Sequence, residues 1–342
     1  MAIRSASGSC TSLDCIMGDQ FDGNLLVPFE RDAVMGVRIF TSFMSLLGTS
    51  FQIFTIIYFS KLSYSAVRYI FFLAVCCFLE ACTNLMSIGI YNREIQLQGQ
   101  CVVQGTLVQL TSVSIFLWIF MITLNLYIIV VFNKNSKIFE VLSHIFVWSV
   151  AGVAAGVPWY TQAYGIAGLW CWIIWEHQVY RWLLYYLPLF LVILEIIVLY
   201  SALYSHILAN YKSKKQDLSK ETRYFLRKLK PYPIIFLILY TFSIANRIYD
   251  WASPDDSFPM YVIESLTVPA FGFISCIVYC LEKENRKLFK KMMFDMGLCV
   301  GLTAPLDHQE FQDEEQNKNK NEVNFELPDI SKQQAVDQEQ LF

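Results

Sequence analysis

Seven long apolar stretches, with Lys and Arg concentrated in every second gap between them, leave few folds open to this 342-residue chain. A bilayer core of ~30 Å is crossed by roughly 20 apolar residues as helix. Stretches of that kind run over Met35–Phe59, Tyr69–Ile90, Val102–Phe132, Phe139–Trp159, Trp182–Leu208, Tyr232–Trp251 and Met260–Leu281. The third is long enough to tilt or to project beyond the bilayer. Lys61 and Arg68 follow the first stretch, and Lys134 and Lys137 the third. A dense group from Lys212 to Lys230 follows the fifth, and Lys283, Arg286, Lys287, Lys290 and Lys291 follow the seventh. The opposite gaps hold only Arg93 and Arg181, with Arg247 near an outer helix end. Basic loops stay in the cytoplasm. The predicted fold is therefore an all-α membrane protein, a seven-transmembrane helix bundle with the N-terminus outside and the C-terminus cytoplasmic.

Composition agrees with that class, with 55% hydrophobic and only 16% charged residues. Four regions are expected: an extracellular tail over 1–33, the bundle over 34–281, an amphipathic juxtamembrane helix over 282–297 and an acidic cytoplasmic tail over 298–342. Residues 301–342 carry ten acidic against three basic side chains, a composition that predicts disorder. Residues 1–33 have no apolar run near Met1, so no cleavable signal peptide is expected and the first span must start insertion itself. No Asn-x-Ser/Thr sequon occurs.

The ten cysteines sort by location. Cys76, Cys77, Cys82, Cys276 and Cys280 lie in spans, where thiols behave as small apolar groups. Cys101 at the start of the third span and Cys171 in the following outer loop both face an oxidising compartment. A bridge between them would pin the loop on the third helix; the alternative is two free thiols. Cys10 and Cys15 could close a small loop in the N-terminal tail. Cys299, just past a basic amphipathic segment, is a lipidation candidate.

Ionisable groups inside spans are costly and turn toward the bundle interior. Gln104, Thr111, Trp118 and Asn125 recur at seven-residue spacing and share one face of the third helix. Arg181, Tyr185, Pro188 and Glu195 share a face of the fifth, and Ser243, Asn246, Arg247 and Asp250 one of the sixth. Glu264 and Thr267 sit in the outer half of the seventh, and Glu80 and Asn84 in the second. One reading is an outward-open cavity lined by Arg181, Arg247 and Glu264. The other is that Arg247 merely pairs with Asp250 or Glu264 to hold helices together.

Catalytic signatures are missing. His144, His177, His206 and His308 are scattered, and no Gly-rich phosphate loop or intramembrane carboxylate dyad occurs, so neither enzyme, metal nor cofactor is expected. The seventh span has no lysine, which excludes a retinal Schiff base there.

Seven helices with a cysteine at the top of the third and another in the second outer loop resemble a G-protein-coupled receptor. The third span ends in Leu126-Tyr127-Ile128-Ile129-Val130-Val131 rather than an Asp-Arg-Tyr triplet, and the seventh lacks Asn-Pro-x-x-Tyr. These absences set it apart from rhodopsin-like receptors. Trp170-Cys171-Trp172-Ile173, Tyr180-Arg181 with Tyr185 and Pro188, and Asn246-Arg247-Ile248 resemble slime-mould cyclic-AMP receptors and their plant relatives. Cys101-Val102-Val103-Gln104-Gly105 with Trp118 is similar to a related animal orphan receptor, and Glu80 and Trp148 fall where these families place an acid and a tryptophan. The resemblance covers about residues 35–293 and implies a plasma-membrane receptor with an extracellular ligand and a heterotrimeric G protein as partners.

A cyclic nucleotide or similar small anion would need a cation and an aromatic face. Arg247 and Arg181 could supply the first, and Trp172, Tyr185 or Trp182 the second, with Asn246, Gln104 and Glu264 nearby. Glu264 would oppose an anion unless an arginine holds it. On the cytoplasmic side Leu218–Lys230 runs into Pro231 and Pro233, and Arg223, Arg227, Lys228, Lys230 and Lys134 could face the G protein or anionic lipid. Glu282–Met293 reads as an interfacial helix. A nucleic-acid polymer is not expected as a partner. The competing classes are a transporter or channel, for which no internal repeat is visible, and a scaffold whose polar faces only pack.

Overall fold

Every backbone polar group in a bilayer must be satisfied within the protein, so apolar stretches of this length fold as helices. The computed structural model describes residues 28–59, 61–91, 98–132, 137–167, 169–212, 220–252 and 258–295. The tails carrying Cys10, Cys15 and Cys299, and the loop carrying Lys134, lie outside the described residues.

The helices are α1 (Pro28–Tyr58), α2 (Ser65–Leu85), α3 (Ser87–Tyr91), α4 (Gln98–Phe132), α5 (Lys137–Tyr160), α6 (Gln178–Arg181), α7 (Leu187–Lys212), α8 (Lys220–Leu229), α9 (Pro231–Ala252), α10 (Phe258–Thr267), α11 (Phe271–Leu281) and α12 (Lys283–Asp295). Among the described residues six helical segments are long and apolar enough to cross a membrane, and the bent pair α10–α11, taken as one span, makes a seventh. All seven expected stretches are therefore helical, with ends displaced by a few residues. The fold is a seven-transmembrane helix bundle. The amphipathic segment after the seventh span is helical too, as α12, which forms a separate unit.

The third span is the axis of the bundle. α4 packs against α2, α5, α7, α8 and α9, and Val113, Ile115, Phe116, Trp118 and Ile119 are buried along it. The seven-residue row of Gln104, Thr111, Trp118 and Asn125 is buried throughout. Trp118 stacks with Phe72 and meets Tyr69, His144 and Trp148 edge-on, sealing the seam between the second, third and fourth spans. Phe40, Leu47 and Phe54 on α1, and Leu191, Leu194 and Val198 on α7, are exposed apolar residues on the faces that meet lipid.

Prolines interrupt regular helix in the seventh and fifth spans. In the seventh, Pro269 cannot donate a backbone hydrogen bond and disfavours helix in the residue before it. α10 and α11 accordingly meet at 40°, so the single expected span Met260–Leu281 is broken. Gly272 just past the bend lets α11 close on α1, since a Cβ there would come within 2.2 Å of Ser45 Oγ and 2.9 Å of Thr49 Cγ2. In the fifth span, Pro188 leaves the Leu184 carbonyl without its usual helical donor, and Trp182–Tyr186 widen into a π turn.

At the cytoplasmic end of α2 and α5, Arg68 makes a two-pronged ion pair with Glu140, Nε to Oε1 and Nη2 to Oε2 at 2.6 Å. Arg68 Nη1 also donates to the carbonyls of Leu62 and Ser63 at 2.9 Å each. This clamp ties the first inner turn to the fourth span.

Candidate ligand-binding site

The outer end of the bundle is capped by a hairpin, β1 (Tyr164–Ile166) paired antiparallel with β2 (Cys171–Ile173). Cys101 and Cys171 are disulfide-bonded, with their Cα atoms 5.2 Å apart, which fastens β2 to the top of α4. The hairpin lies flat on α4 because residue 105 is glycine: a Cβ there would sit 2.8 Å from the Tyr164 ring and 3.4 Å from Trp172 Cα. Tyr164, Trp172 and Ile173 are buried with Val108 and Tyr186. Burial pushes the Tyr164 phenol up, so it stays protonated and donates to the Ala155 carbonyl at 2.9 Å.

Two glutamines of α4 knit the cap to the helices. Gln104, fully buried, donates to the Thr83 carbonyl at 3.0 Å and to Ser87 Oγ at 2.7 Å, and accepts from the Cys171 amide at 3.2 Å. Gln109 donates to the Leu184 carbonyl at 2.9 Å, the acceptor that Pro188 left unsatisfied, and accepts from Trp172 Nε1 at 2.8 Å. Trp172 in turn packs on Tyr185 at 5.0 Å between ring centroids. Tyr185 continues through Phe116 to Tyr240, Phe236 and Phe271, an aromatic column running inward from the cap.

The expected cations occupy different settings. Arg247 donates through Nη2 to both oxygens of Glu264, at 3.1 and 2.9 Å. Ser243 donates to Glu264 Oε1 at 3.1 Å, and Asn246 to Oε2. Of the two carboxylates within sequence reach, Glu264 thus holds Arg247, while the side chain of Asp250 lies outside the described residues. The bend at Pro269 turns α10 toward α9 and so sets up this contact. Arg181 faces the hairpin: its Nε donates to the Ile173 carbonyl at 2.8 Å, and its guanidinium lies 5.1 Å from the Trp172 ring and 5.4 Å from that of Trp175. Tyr185, Trp172, Gln104, Asn246, Arg247 and Glu264 therefore all lie in the outer half of one bundle, with Arg181 beside the hairpin.

The structure adds Arg38 of α1, which is 8% exposed. Its Nη2 donates to Asn84 Oδ1 at 2.7 Å, and Trp170 from the hairpin covers it at 4.0 Å. Its Nε is buried with no hydrogen-bond partner, and it makes no ion pair among the described residues. Glu80 instead accepts from Ser112 at 2.8 Å, and Glu264 from Arg247, Ser243 and Asn246. The signal was present in the sequence, an arginine inside an apolar span, but a single charge near the outer end of the first helix does not show what surrounds it. Gln109 left no comparable signal, since its role depends on a carbonyl freed by a distant proline.

At the cytoplasmic end α8 places Arg223 and Arg227 on its exposed face, buries Lys228, and is followed by exposed Lys230. Phe225 and Leu229 are buried where α8 packs on α4 and α2.

A crystal structure of squid rhodopsin superimposes with a TM-score of 0.65 at 17% identity, covering 90% of this chain and 95% of that one. Cyclic AMP receptor-like protein A of Dictyostelium discoideum is 26% identical over 269 residues, 75% of this chain and 67% of that protein. G-protein coupled receptor 1 of Arabidopsis thaliana is 23% identical over 277 residues, 78% of this chain and 83% of that protein. The sequence profile of the slime mold cyclic AMP receptor matches residues 26–332. That match spans the whole bundle with both of its ends, and the chain belongs to the slime mold cyclic AMP receptor family.

Proposed function

We propose that this G-protein-coupled receptor binds a small anionic ligand in the outer half of its bundle, with Arg38 as the anchoring cation, and activates a heterotrimeric G protein at the plasma membrane. The observation that carries the reading is how Arg38 is partnered compared with Arg181 and Arg247. Arg247 already has a carboxylate, and Arg181 is committed to the Ile173 carbonyl and two indole faces. Arg38 is buried, has one neutral acceptor in Asn84, and keeps its Nε unsatisfied. A buried guanidinium without a hydrogen-bonded anion is costly, and an incoming anion would relieve that cost. The Trp170 ring holds the guanidinium plane, and Trp172 and Tyr185 offer aromatic faces to the rest of the ligand. Arg247, Arg181, Asn246 and Gln104 then act mainly by keeping the cavity walls in place, and Glu264 no longer opposes an anion because it is neutralised where it stands.

Cyclic AMP, after which the Dictyostelium relative is named, is the first probe. Thermal unfolding of purified receptor in lipid nanodiscs should shift upward with cyclic AMP in the wild type. Arg38→Gln should need roughly 10- to 100-fold more ligand for the same shift, matching ~1.5–3 kcal/mol for a charged hydrogen bond. An equal shift in a well-folded Arg38→Gln receptor would refute Arg38 as the anchor.

A further inference from the structure

The third span ends without a charged residue, so whatever keeps the inner end of the sixth helix closed must come from elsewhere. At the junction of the seventh span with α12, Glu282 faces two cations of α8. Lys228 Nζ lies 3.9 Å from Glu282 Oε2, and Arg227 Nε 3.5 Å from Oε1. The Lys228 and Glu282 side chains are only 3% and 9% exposed. Lys228 also sits 4.5 Å from the Tyr224 ring, and Tyr224 lies 6.1 Å from Tyr64 of the first inner turn. From the fifth span, Tyr200 Oη donates to the Lys230 carbonyl at 2.8 Å. Just beyond come Pro231 and Pro233, which remove backbone donors at the start of α9 and make this joint the weak point of the sixth span.

We infer that Glu282 and the Arg227–Lys228 pair form a latch that holds α8 closed on α4 in the resting receptor, and that activation breaks it. The inference rests on the receptor reading but not on the identity of the ligand. Opening a cleft at the inner end requires α8 to leave α4 and α2, which draws Lys228 and Arg227 away from Glu282. The distances are those of ion pairs rather than close hydrogen bonds, so the latch is breakable while still favouring the closed form. Once released, Arg227 and Lys228 rim the opened cleft, where an acidic partner segment can take the place of Glu282. A two-state element biased by one charge contact is how a local change becomes a global one.

The test uses full-length receptor in nanodiscs, with labels at Arg223→Cys on α8 and Lys137→Cys on α5, both exposed positions. Pulsed electron–electron resonance then reads the distance between the two inner ends. Glu282→Gln should raise the open population roughly 5-fold or more without ligand, and Lys228→Gln should do the same. Exchanging the charges, Lys228→Glu with Glu282→Lys, should return the distribution toward the wild type. An unchanged distance distribution in Glu282→Gln, or a charge exchange as open as the single variants, would overturn the latch. If Glu282→Gln folds poorly, the charge-exchanged pair carries the test alone, and only a closed distribution supports the latch. Guanine-nucleotide exchange measured in parallel separates the two readings: labels that move while exchange stays flat uphold the latch and count against G-protein coupling.

Discussion

The outer end of the bundle and the inner ends of the fifth, sixth and seventh spans are held in opposite ways. Outside, a disulfide, two buried glutamines and a carboxylate with three donor residues fix the hairpin, α4, α7, α9 and α10 at hydrogen-bond distances. Inside, the contacts of α8 and the residue after it include apolar packing, ion pairs of 3.5 and 3.9 Å and the Tyr200 hydroxyl. The inner end is not uniformly loose, since the Arg68–Glu140 clamp makes the side of the second and fourth spans as tight as the cap. The difference teaches where movement can occur. On the proposed reading, a small change at the outer end would pass down the aromatic column to the sixth helix, whose inner end is where the response is expected.

The comparison can be broken most severely at the disulfide. Removing a bridge that closes a long loop costs about 2–5 kcal/mol, here across a separation of 70 residues. Cys101→Ala, Cys171→Ala and the double variant should all lose surface expression, the double no more than either single. Free thiols at both positions in intact cells would remove the cap from the account.

Glu264→Gln comes next. It leaves Arg247 partly buried without its anion, a loss of up to roughly 3 kcal/mol because Arg247 is 22% exposed and some solvent reaches it. The melting temperature should fall, and the double variant Arg247→Gln with Glu264→Gln should recover part of it. A double variant no better than the single would mean the carboxylate serves another group.

The inner clamp offers a sharper contrast with the latch. Arg68→Gln should lower stability by about 1–3 kcal/mol, the range for losing a hydrogen-bonded charge, yet leave basal nucleotide exchange unchanged. Basal exchange raised by Arg68→Gln as strongly as by Glu282→Gln would erase the distinction drawn between the two inner sides.

The smallest effect belongs to Gln109→Leu, which strands the Trp172 indole N–H and the Leu184 carbonyl. The loss should be ~1–2 kcal/mol in stability, with a weaker ligand response because Trp172 is no longer fixed against Tyr185. Unaltered melting and response would show that the hairpin is held without this bridge.

Much of this was legible in the chain. Hydropathy and charge segregation placed all seven spans and their direction, because a bilayer accepts so few alternatives. The row from Gln104 to Asn125 was readable because α4 is a regular helix and the seven-residue period holds along it. In the fifth span the same reasoning linked Arg181 to Glu195 across a segment that widens into a π turn, where the period changes. Pro269 lay in plain view, but how far it bends the seventh span depends on how α11 closes on α1. The pairs Arg68–Glu140 and Lys228–Glu282 join residues far apart in sequence, and no local pattern announces such partners. Arg38 was visible as a charge in an apolar run, but its importance rests on what fails to pair with it, which only packing reveals.

The account joins an anion at the rigid outer end to movement at the loose inner end, and one measurement bears on both. Guanine-nucleotide exchange on a purified heterotrimeric G protein should be followed with receptor in nanodiscs, with and without cyclic AMP. The account predicts faster exchange with ligand in the wild type, and a response in Arg38→Gln displaced to roughly 10-fold or more higher ligand concentration. A wild-type receptor with its Cys101–Cys171 bridge intact that leaves exchange unchanged, with cyclic AMP or any other small anion, would contradict it.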